Sequence, residues 1–220
     1  MAQELGRIIL PGREQYLGKR ILLLVPLLYG PGAEVPEGQA ILDRYWSQVL
    51  SQLVSLELRL GPVKHIYHES LTEGGLPALA QLEESGFPTV AAVRRKVESG
   101  AFLEATENGE RLLETIDLQR CLMLPLASEP VARRLYEWFA QSLQARYQHI
   151  ASVVDQTLRP GEVGVMFISE RHQVQFPQGM EVFFVAPPAL DEYHHWLEEW
   201  LKEQQALAQA EMEAEAQGQA

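Results

Sequence analysis

Four polar residues follow directly after a strongly apolar run in the second half of the chain. The run Val163–Ile168 leads into Ser169, Glu170, Arg171 and His172. A histidine and a carboxylate at the end of a buried strand can serve as general acid, general base or metal ligand. We predict that His172 lies on the carboxyl edge of a sheet, partly buried, with a hydrogen bond from its ring to a carboxylate or carbonyl oxygen, and that Glu170 is a binding residue.

Polar side chains also follow the two earlier apolar runs. The first run ends at Tyr29, and the second leads through His68 to Glu69. The carboxyl ends of parallel strands share one edge, where ligands of open α/β sheets bind. These three side chains could therefore converge with Glu170 and His172, forming a pocket lined by Tyr29, Glu69 and His172. The alternative is that polar residues end every strand because loops face water.

A positive charge interrupts the apolar stripe of the longest predicted helix. The stripe repeats every three or four residues and comprises Leu135, Phe139, Leu143, Arg146, Ile150 and Val154. A buried guanidinium is costly unless a carboxylate or a ligand pairs with it. Arg146 is therefore either buried against an acid or reaches water from the edge of the stripe. We predict burial against Glu69, Glu104 or Glu107. Replacing Arg146 with Met should then be tolerated better than losing the partner acid alone.

Two carboxylates, Glu104 and Glu107, stand three residues apart just before a predicted helix. Acids near a helix start favour its dipole, which is the simplest reason for their position. The same pair would suit acid/base chemistry, or the partners that Arg146 needs. Glu104 and Glu107 are thus candidate binding residues. The candidate catalytic residues are Glu69, Arg146 and His172, with Arg146 orienting a carboxylate or binding an anionic group.

The segment from Arg146 to His172 resembles the closing part of TraB/Tiki/GumN-like proteins, in which an arginine on a long helix precedes an apolar strand ending in Gly-x-x-His. Arg146 matches the arginine, His172 matches the histidine, and Ser169 stands in place of the glycine. Glu69 could match the acidic position of the family. The resemblance implies an α/β fold and, in some members, metal-dependent peptidase-like activity. The family's earlier Gly-x-x-His is missing from Val25–Tyr29, which removes a principal metal ligand.

Alternating apolar runs and helical patterns predict an α/β fold. Residues 20–29, 63–69, 163–168 and 181–185 form strand-like runs, and residues 101–106 form a short strand or a link. Helical patterns cover residues 36–60, 76–84, 89–98, 108–123 and 128–158, and another follows Pro187. This order builds parallel sheets. We predict a single domain with a mostly parallel sheet of four or five strands surrounded by helices, and we place Pro26 at a strand end or an edge.

The two ends of the chain differ from its middle. Residues 1–19 indicate an extended leader, residues 20–202 the α/β domain, and residues 203–220 an acidic tail rich in Ala, Gln and Glu. The tail has hardly any large apolar residue to offset its ordering entropy, so we expect a frayed helix or a disordered segment. The helix before it is amphipathic, contains Trp196 and Trp200, and could support an oligomer.

Composition excludes several classes of partner. A net charge of −12 repels the phosphate backbone, so we expect no nucleic acid. The start lacks a signal-peptide pattern and the longest apolar run is too short to span a bilayer, so we expect a cytoplasmic protein without a membrane partner.

The single cysteine, Cys121, lies in an apolar run and should be buried. The histidines are scattered and no HExxH, GxSxG, P-loop or GxGxxG motif occurs, so we expect neither metal nor cofactor.

Two classes of function stay open on these grounds. In the first, the protein is a non-catalytic ligand-binding or regulatory domain that takes a small molecule or a peptide, and its out-of-place polar residues form a structural network. In the second, it is a hydrolase, metal-dependent and peptidase-like, with its pocket at the carboxyl ends of the strands. The missing early histidine favours the first class.

Overall fold

Five parallel strands and six α-helices make up the part of the chain that the computed structural model describes, namely residues 13–28, 31 and 35–218. The strands are β1 (Arg20–Leu27), β2 (Val63–His68), β3 (Phe102–Leu103), β4 (Val163–Ser169) and β5 (Met180–Phe184). The helices are α1 (Pro36–Leu60), α2 (Gly75–Glu84), α3 (Val90–Glu98), α4 (Gly109–Leu122), α5 (Glu129–Thr157) and α6 (Pro188–Gly218). The predicted single-domain α/β fold is confirmed.

The strands lie in the order β3-β2-β4-β1-β5, so β1 occupies an interior position between β4 and β5. Leu24 of β1 pairs with Met166 on one side and with Phe184 on the other. Of the three interior strands, β1 and β4 are apolar on both faces, as strands covered on both sides must be. The edges of the sheet are the two-residue β3 and the five-residue β5.

Pro26 lies in the interior strand β1, opposite Ile168, so of the two predicted positions, a strand end or an edge, the structure selects the strand end. Its position near the strand end is correct, because only Leu27 follows it in β1. Pairing with β5 ends at Leu24, so the missing N–H of Pro26 breaks no bond on that side. The Pro26 carbonyl accepts a hydrogen bond of 2.7 Å from the hydroxyl of Tyr45.

Alternating residues of the strands build two cores on opposite faces of the sheet. Leu23 and Val25 point to the face that α1, α2, α3 and α6 cover. Leu22 and Leu24 point to the other face, where Ile150 of α5 packs. Helix α5 thus covers the second face, and its apolar stripe determines which of its residues pack there.

Only the second half of α5 belongs to the body of the molecule. Its buried residues begin at Ser142, and α4 buries only Thr115. We call residues 109–142, which comprise α4 and the first half of α5, the α4–α5 hairpin. Cys121 lies in the last turn of α4 and is exposed, so its predicted burial is wrong. The local run around Cys121 is apolar, but the hairpin carries it away from both cores.

The ends of the chain are helical where the structure describes them. Residues 1–12 of the predicted leader lie outside the described residues, and Arg13–Tyr16 form a short 3-10 helix instead of extended chain. Helix α6 continues through the predicted tail to Gly218, and residues 203–210 are all exposed. Within the described part of the chain, no helix combines the length and the apolar character that crossing a membrane requires.

Candidate functional site

The carboxyl ends of β2 and β4 bring a buried ion cluster together around Arg146. The Nη2 atom of Arg146 donates to Glu69 Oε1 at 2.8 Å and to Glu107 Oε1 at 2.5 Å. Its Nε atom lies 3.0 Å from each of the two Glu107 oxygens. Arg146 is 8% exposed, Glu69 is 8% exposed and Glu107 is 3% exposed. The predicted burial of Arg146 against an acid is therefore confirmed, with Glu69 and Glu107 as partners.

Backbone geometry holds both carboxylates in place. Glu69 follows β2 directly, its N–H donates to the carbonyl of Phe167, and its Oε2 accepts from the N–H of Ser169 at 2.6 Å. The N–H of Ser70 donates to Glu107 Oε1 at 3.3 Å. Ser70 has φ of 77°, in the left-handed region, which costs a non-glycine residue on the order of 1 kcal/mol. The hydrogen bond from the Ser70 N–H to Glu107 thus accompanies an unfavourable backbone conformation at Ser70.

The cluster holds one positive and two negative charges. Burial alone would lower the pKa of Arg146, but the hydrogen bonds and charges of Glu107 and Glu69 outweigh it and raise that pKa above its ordinary value. Removing Arg146 would leave two unpaired buried carboxylates side by side, whereas removing one acid leaves a neutral pair. Because the cluster holds two acids and one arginine, we now expect Arg146→Met to be tolerated worse than the loss of one partner acid.

His172 is half-buried beyond the end of β4, but its hydrogen bond differs from the predicted one. Its Nδ1 atom accepts from the N–H of Val174 at 3.2 Å. The ring is therefore an acceptor at Nδ1 where a donor to an oxygen was expected. Burial lowers the pKa of His172, and the charge of Glu69 opposes the shift only in part. A neutral ring with Nδ1 engaged as acceptor carries its proton on Nε2.

His68 is completely buried and serves the core. Its Nδ1–H donates to the Glu69 carbonyl at 2.5 Å, and its Nε2 lies 3.0 Å from the hydroxyl of Thr89. The ring packs against Phe87 and Phe167. Burial lowers the pKa of His68 to about 4, so the ring is neutral near pH 7. His68 supports the turn at Glu69 from beneath and does not face a pocket.

Glu104 and Glu170 lie apart from the Arg146 cluster. Glu104 bonds His65 Nδ1 at 2.7 Å, and the other ring nitrogen of His65 lies 3.2 Å from Glu162. Glu170 is exposed and bonds His194 at 2.8 Å. Among the predicted site residues that the structure describes, Glu69, Glu107, Arg146 and His172 are the ones that come together at the carboxyl edge. The two carboxylates that bond His65 were not predicted from the sequence. Their approach depends on β4 lying beside β2, which the sequence does not reveal.

A cavity lies beside α5, and neither Glu69 nor His172 of the predicted lining is among the residues that line it. Tyr29 itself lies outside the described residues. The cavity measures about 650 Å³. It is lined by Phe139, Ala140, Leu143, Gln144, Tyr147, Gln148, Ala151, Gln173 and Gln175. No lining residue is charged, which was not foreseen.

Four glutamines give the cavity its polar surface. Gln144 and Gln148 stand one helical turn apart on α5, and Gln173 and Gln175 alternate along the segment after β4. Spacings of four on a helix and of two on extended chain place each pair on one face. This signal was available in the sequence, but glutamine is not a residue that catalytic motifs single out.

Tyr147 links the ion cluster to the cavity. Its ring lies under the Arg146 guanidinium, with Cζ 5.9 Å from the ring centroid, and the same residue lines the cavity. Burial raises the pKa of Tyr147, and the charge of Glu69 adds to the shift. The cluster therefore fixes one wall of the cavity through Tyr147.

The metal that the TraB-like resemblance implies does not fit the residues of this site. No three side chains of His, Cys, Asp or Glu stand together as a metal-binding group among the described residues. His172, the candidate ligand, uses Nδ1 as an acceptor of the Val174 N–H. A metal-binding imidazole normally donates its second nitrogen to an oxygen.

Comparison of the chain with protein-family models, with curated proteins and with solved structures finds no match.

Proposed function

We propose that the protein is a non-catalytic binding domain that takes an uncharged small molecule or a short peptide into the glutamine-lined cavity beside α5. In this proposal Glu69, Glu107 and Arg146 form a scaffold for the cavity wall and carry out no reaction. The ancestry is part of the same proposal: Arg146 and His172 derive from a TraB-like fold whose metal chemistry has been lost.

One observation supports the scaffold role more than any other. All four carboxylate oxygens of Glu69 and Glu107 already accept a hydrogen bond from the protein. A general base needs an oxygen that can reach a substrate proton, and a nucleophile needs one that can reach the reacting carbon. Here each oxygen is held by the Arg146 guanidinium or by a backbone N–H.

The lining of the cavity sets the chemistry of the ligand. Each glutamine amide offers two donor hydrogens and one acceptor oxygen, which match amide and hydroxyl groups. Phe139, Leu143 and the ring of Tyr147 supply apolar surface for the rest of the ligand. A volume of about 650 Å³ falls within the usual range for small-molecule sites. A charged ligand would lose its hydration without meeting an opposite charge on the lining.

An NMR titration of ¹⁵N-labelled protein tests this proposal. The probes are N-acetylalanine amide and glucose as uncharged ligands, with acetate and tetramethylammonium as charged counterparts. We expect the uncharged probes to shift the side-chain amides of Gln144, Gln148, Gln173 and Gln175, while the exposed Gln81 of α2 serves as an internal control. Absence of shifts with either uncharged probe, or equal shifts at Gln81, would count against the cavity.

A hydrolase is the second candidate, favoured by the half-buried His172 with its lowered pKa near the charge of Glu69. A base acting through Nε2 would need its proton on Nδ1, whereas the bond from Val174 leaves the proton on Nε2. Ring ¹⁵N shifts of His172 at pH 7 separate the two candidates. A proton on Nδ1 would favour the hydrolase.

A further inference from the structure

The α4–α5 hairpin lacks an apolar core of its own. Within residues 109–142, all of which the structure describes, the only buried side chains are the hydroxyl residues Thr115 and Ser142, whose oxygens lie 3.0 Å apart. Seven large apolar residues of this segment are exposed: Leu113, Met123, Leu124, Leu126, Val131, Tyr136 and Trp138. The two helices pack mainly on each other, and an exposed apolar surface of this size marks a site where another molecule binds.

A groove runs along one side of this hairpin. It encloses about 350 Å³ between the helices and is lined by Glu114, Leu118, Trp138, Gln141, Ser142 and Ala145. Trp138 is 49% exposed on the groove wall. Val131 lies seven residues before Trp138, hence on the same face of α5, and is 50% exposed. A half-exposed tryptophan beside a groove is typical of interface centres, where aromatic residues are enriched.

The charge of the hairpin separates it from the rest of the molecule. Its four arginines and five acidic residues leave a net charge of −1, so the remaining chain carries −11 of the total −12. Two copies of the chain would repel each other over most of their surface. The hairpin is the place where that repulsion is weak, and its interleaved charges can pair with the same charges of a second copy.

We propose that the α4–α5 hairpin is the interface between two copies of this chain, packed groove to groove as a four-helix arrangement. A two-fold contact brings one patch against itself, so the patch must be self-complementary. The hairpin meets this requirement because it carries both a groove and an apolar ridge at Val131 and Trp138, together with acids and arginines in nearly equal number.

Sedimentation velocity of the full chain over a range of concentrations tests the proposal. We expect the mass to rise from the 24.8 kDa of one chain to twice that value. The double variant Val131→Glu with Trp138→Glu should weaken association at least tenfold, because it places two like charges on each side of the interface. Leu58→Glu with Leu76→Glu is the matched control, since both leucines are exposed outside the hairpin, and it should associate like the unchanged chain. A single-chain mass at all concentrations, or equal effects of the two double variants, would overturn the proposal.

A second measurement needs no destabilising substitution. Cys121 is the sole cysteine of the chain and lies exposed in the hairpin, so a nitroxide label on it marks this segment alone. Helix α4 has 14 residues and is therefore about 21 Å long at 1.5 Å per residue. In a groove-to-groove dimer the two labels lie no further apart than roughly twice that length, about 42 Å. Pulsed dipolar spectroscopy should detect that distance. A dimer whose labels show no coupling would place the interface elsewhere and overturn the proposal.

Discussion

Arg146 brings one positive charge into a site that holds two carboxylates, and this ratio decides how substitutions there act. A buried ion pair gains little over apolar packing, because desolvation offsets most of the attraction. An unpaired buried charge is different, since nothing offsets its desolvation. The sequence identified Arg146 as misplaced but gave no means to count its partners, because Glu69 and Glu107 come from separate loops.

Arg146→Met should cost more than Glu107→Gln in free energy of unfolding. The first change leaves Glu69 and Glu107 facing each other unpaired, at about 3–5 kcal/mol. The second leaves a neutral pair and an amide oxygen for Arg146, at about 1–3 kcal/mol. Urea unfolding at pH 7 measures both values. Arg133→Met, which breaks an exposed pair with Glu129, is the control and should cost less than about 1 kcal/mol. The reverse order of the first two costs would contradict the geometry.

His68 should make the protein sensitive to mild acid. Its pKa of about 4 in the folded state lies below the ordinary 6.5, so between these values the unfolded chain binds a proton that the folded chain does not. Stability is therefore fully present above pH 6.5 and is lost as the pH falls towards 4, by about 3 kcal/mol.

His68→Gln removes this titration while keeping an amide that can bond Thr89 and the Glu69 carbonyl. The loss of unfolding free energy between pH 7 and pH 4, followed by urea unfolding, should be about 3 kcal/mol smaller in the variant than in the unchanged chain. Equal losses in both proteins would show that His68 is not the residue responsible.

At the scale of helices and strands, the sequence predicted the elements closely where a periodic pattern ends at a strong breaker. The stripe of α1 ends at Gly61-Pro62, and the structure ends the helix at Leu60. The strand β4 was predicted one residue short of its observed end at Ser169. Such boundaries depend on local chemistry, which a single sequence contains.

Long-range arrangement was beyond the sequence. The order of the strands depends on which apolar faces meet across more than a hundred residues, as β1 and β4 do. The choice of Glu107 over Glu104 for Arg146 depends on the pairing of β3 with β2, which directs Glu104 to His65. Cys121 shows the same limit, because local apolarity does not reveal that its helix leaves the body of the molecule.

Gly164 in β4 is a close-packed point of the smaller core, and Gly164→Ala should destabilise the protein. An added Cβ would lie 3.0 Å from Tyr67 Cε2 and 3.3 Å from Leu22 Cδ1. The Tyr67 ring cannot move freely, because its hydroxyl bonds Thr157 at 2.6 Å. Overpacking of this kind costs about 1–3 kcal/mol.

Gly109→Ala is the matched control, since its Cβ would lie no closer than 3.7 Å to Thr72 Cγ2 and alanine favours the helix that starts there. Thermal unfolding of the two variants should show a lower melting temperature for Gly164→Ala only. A lower melting temperature for Gly109→Ala alone would contradict the packing described here.

At the scale of the whole molecule, α6 extends well beyond the body, and its last part should add little stability. Residues 203–210 are all exposed. A chain that stops after Lys202 should lose helix signal in circular dichroism but shift its melting temperature by less than about 2 °C, equivalent to under 1 kcal/mol. It should also associate like the full chain if the hairpin forms the interface. Loss of association on truncation would instead support the predicted oligomer through the C-terminal helix.

The interior position of β1 has a consequence for the newborn chain. Both of its neighbours, β4 and β5, are encoded more than 130 residues later, since β4 begins at Val163 and β1 ends at Leu27. At typical rates of synthesis the ribosome needs roughly 7–30 s to deliver them. Throughout that interval the run Ile21–Val25, fully apolar, has neither strand partner nor complete cover. We therefore expect the nascent chain to depend on holding chaperones until β5 emerges, and refolding in vitro to compete with aggregation.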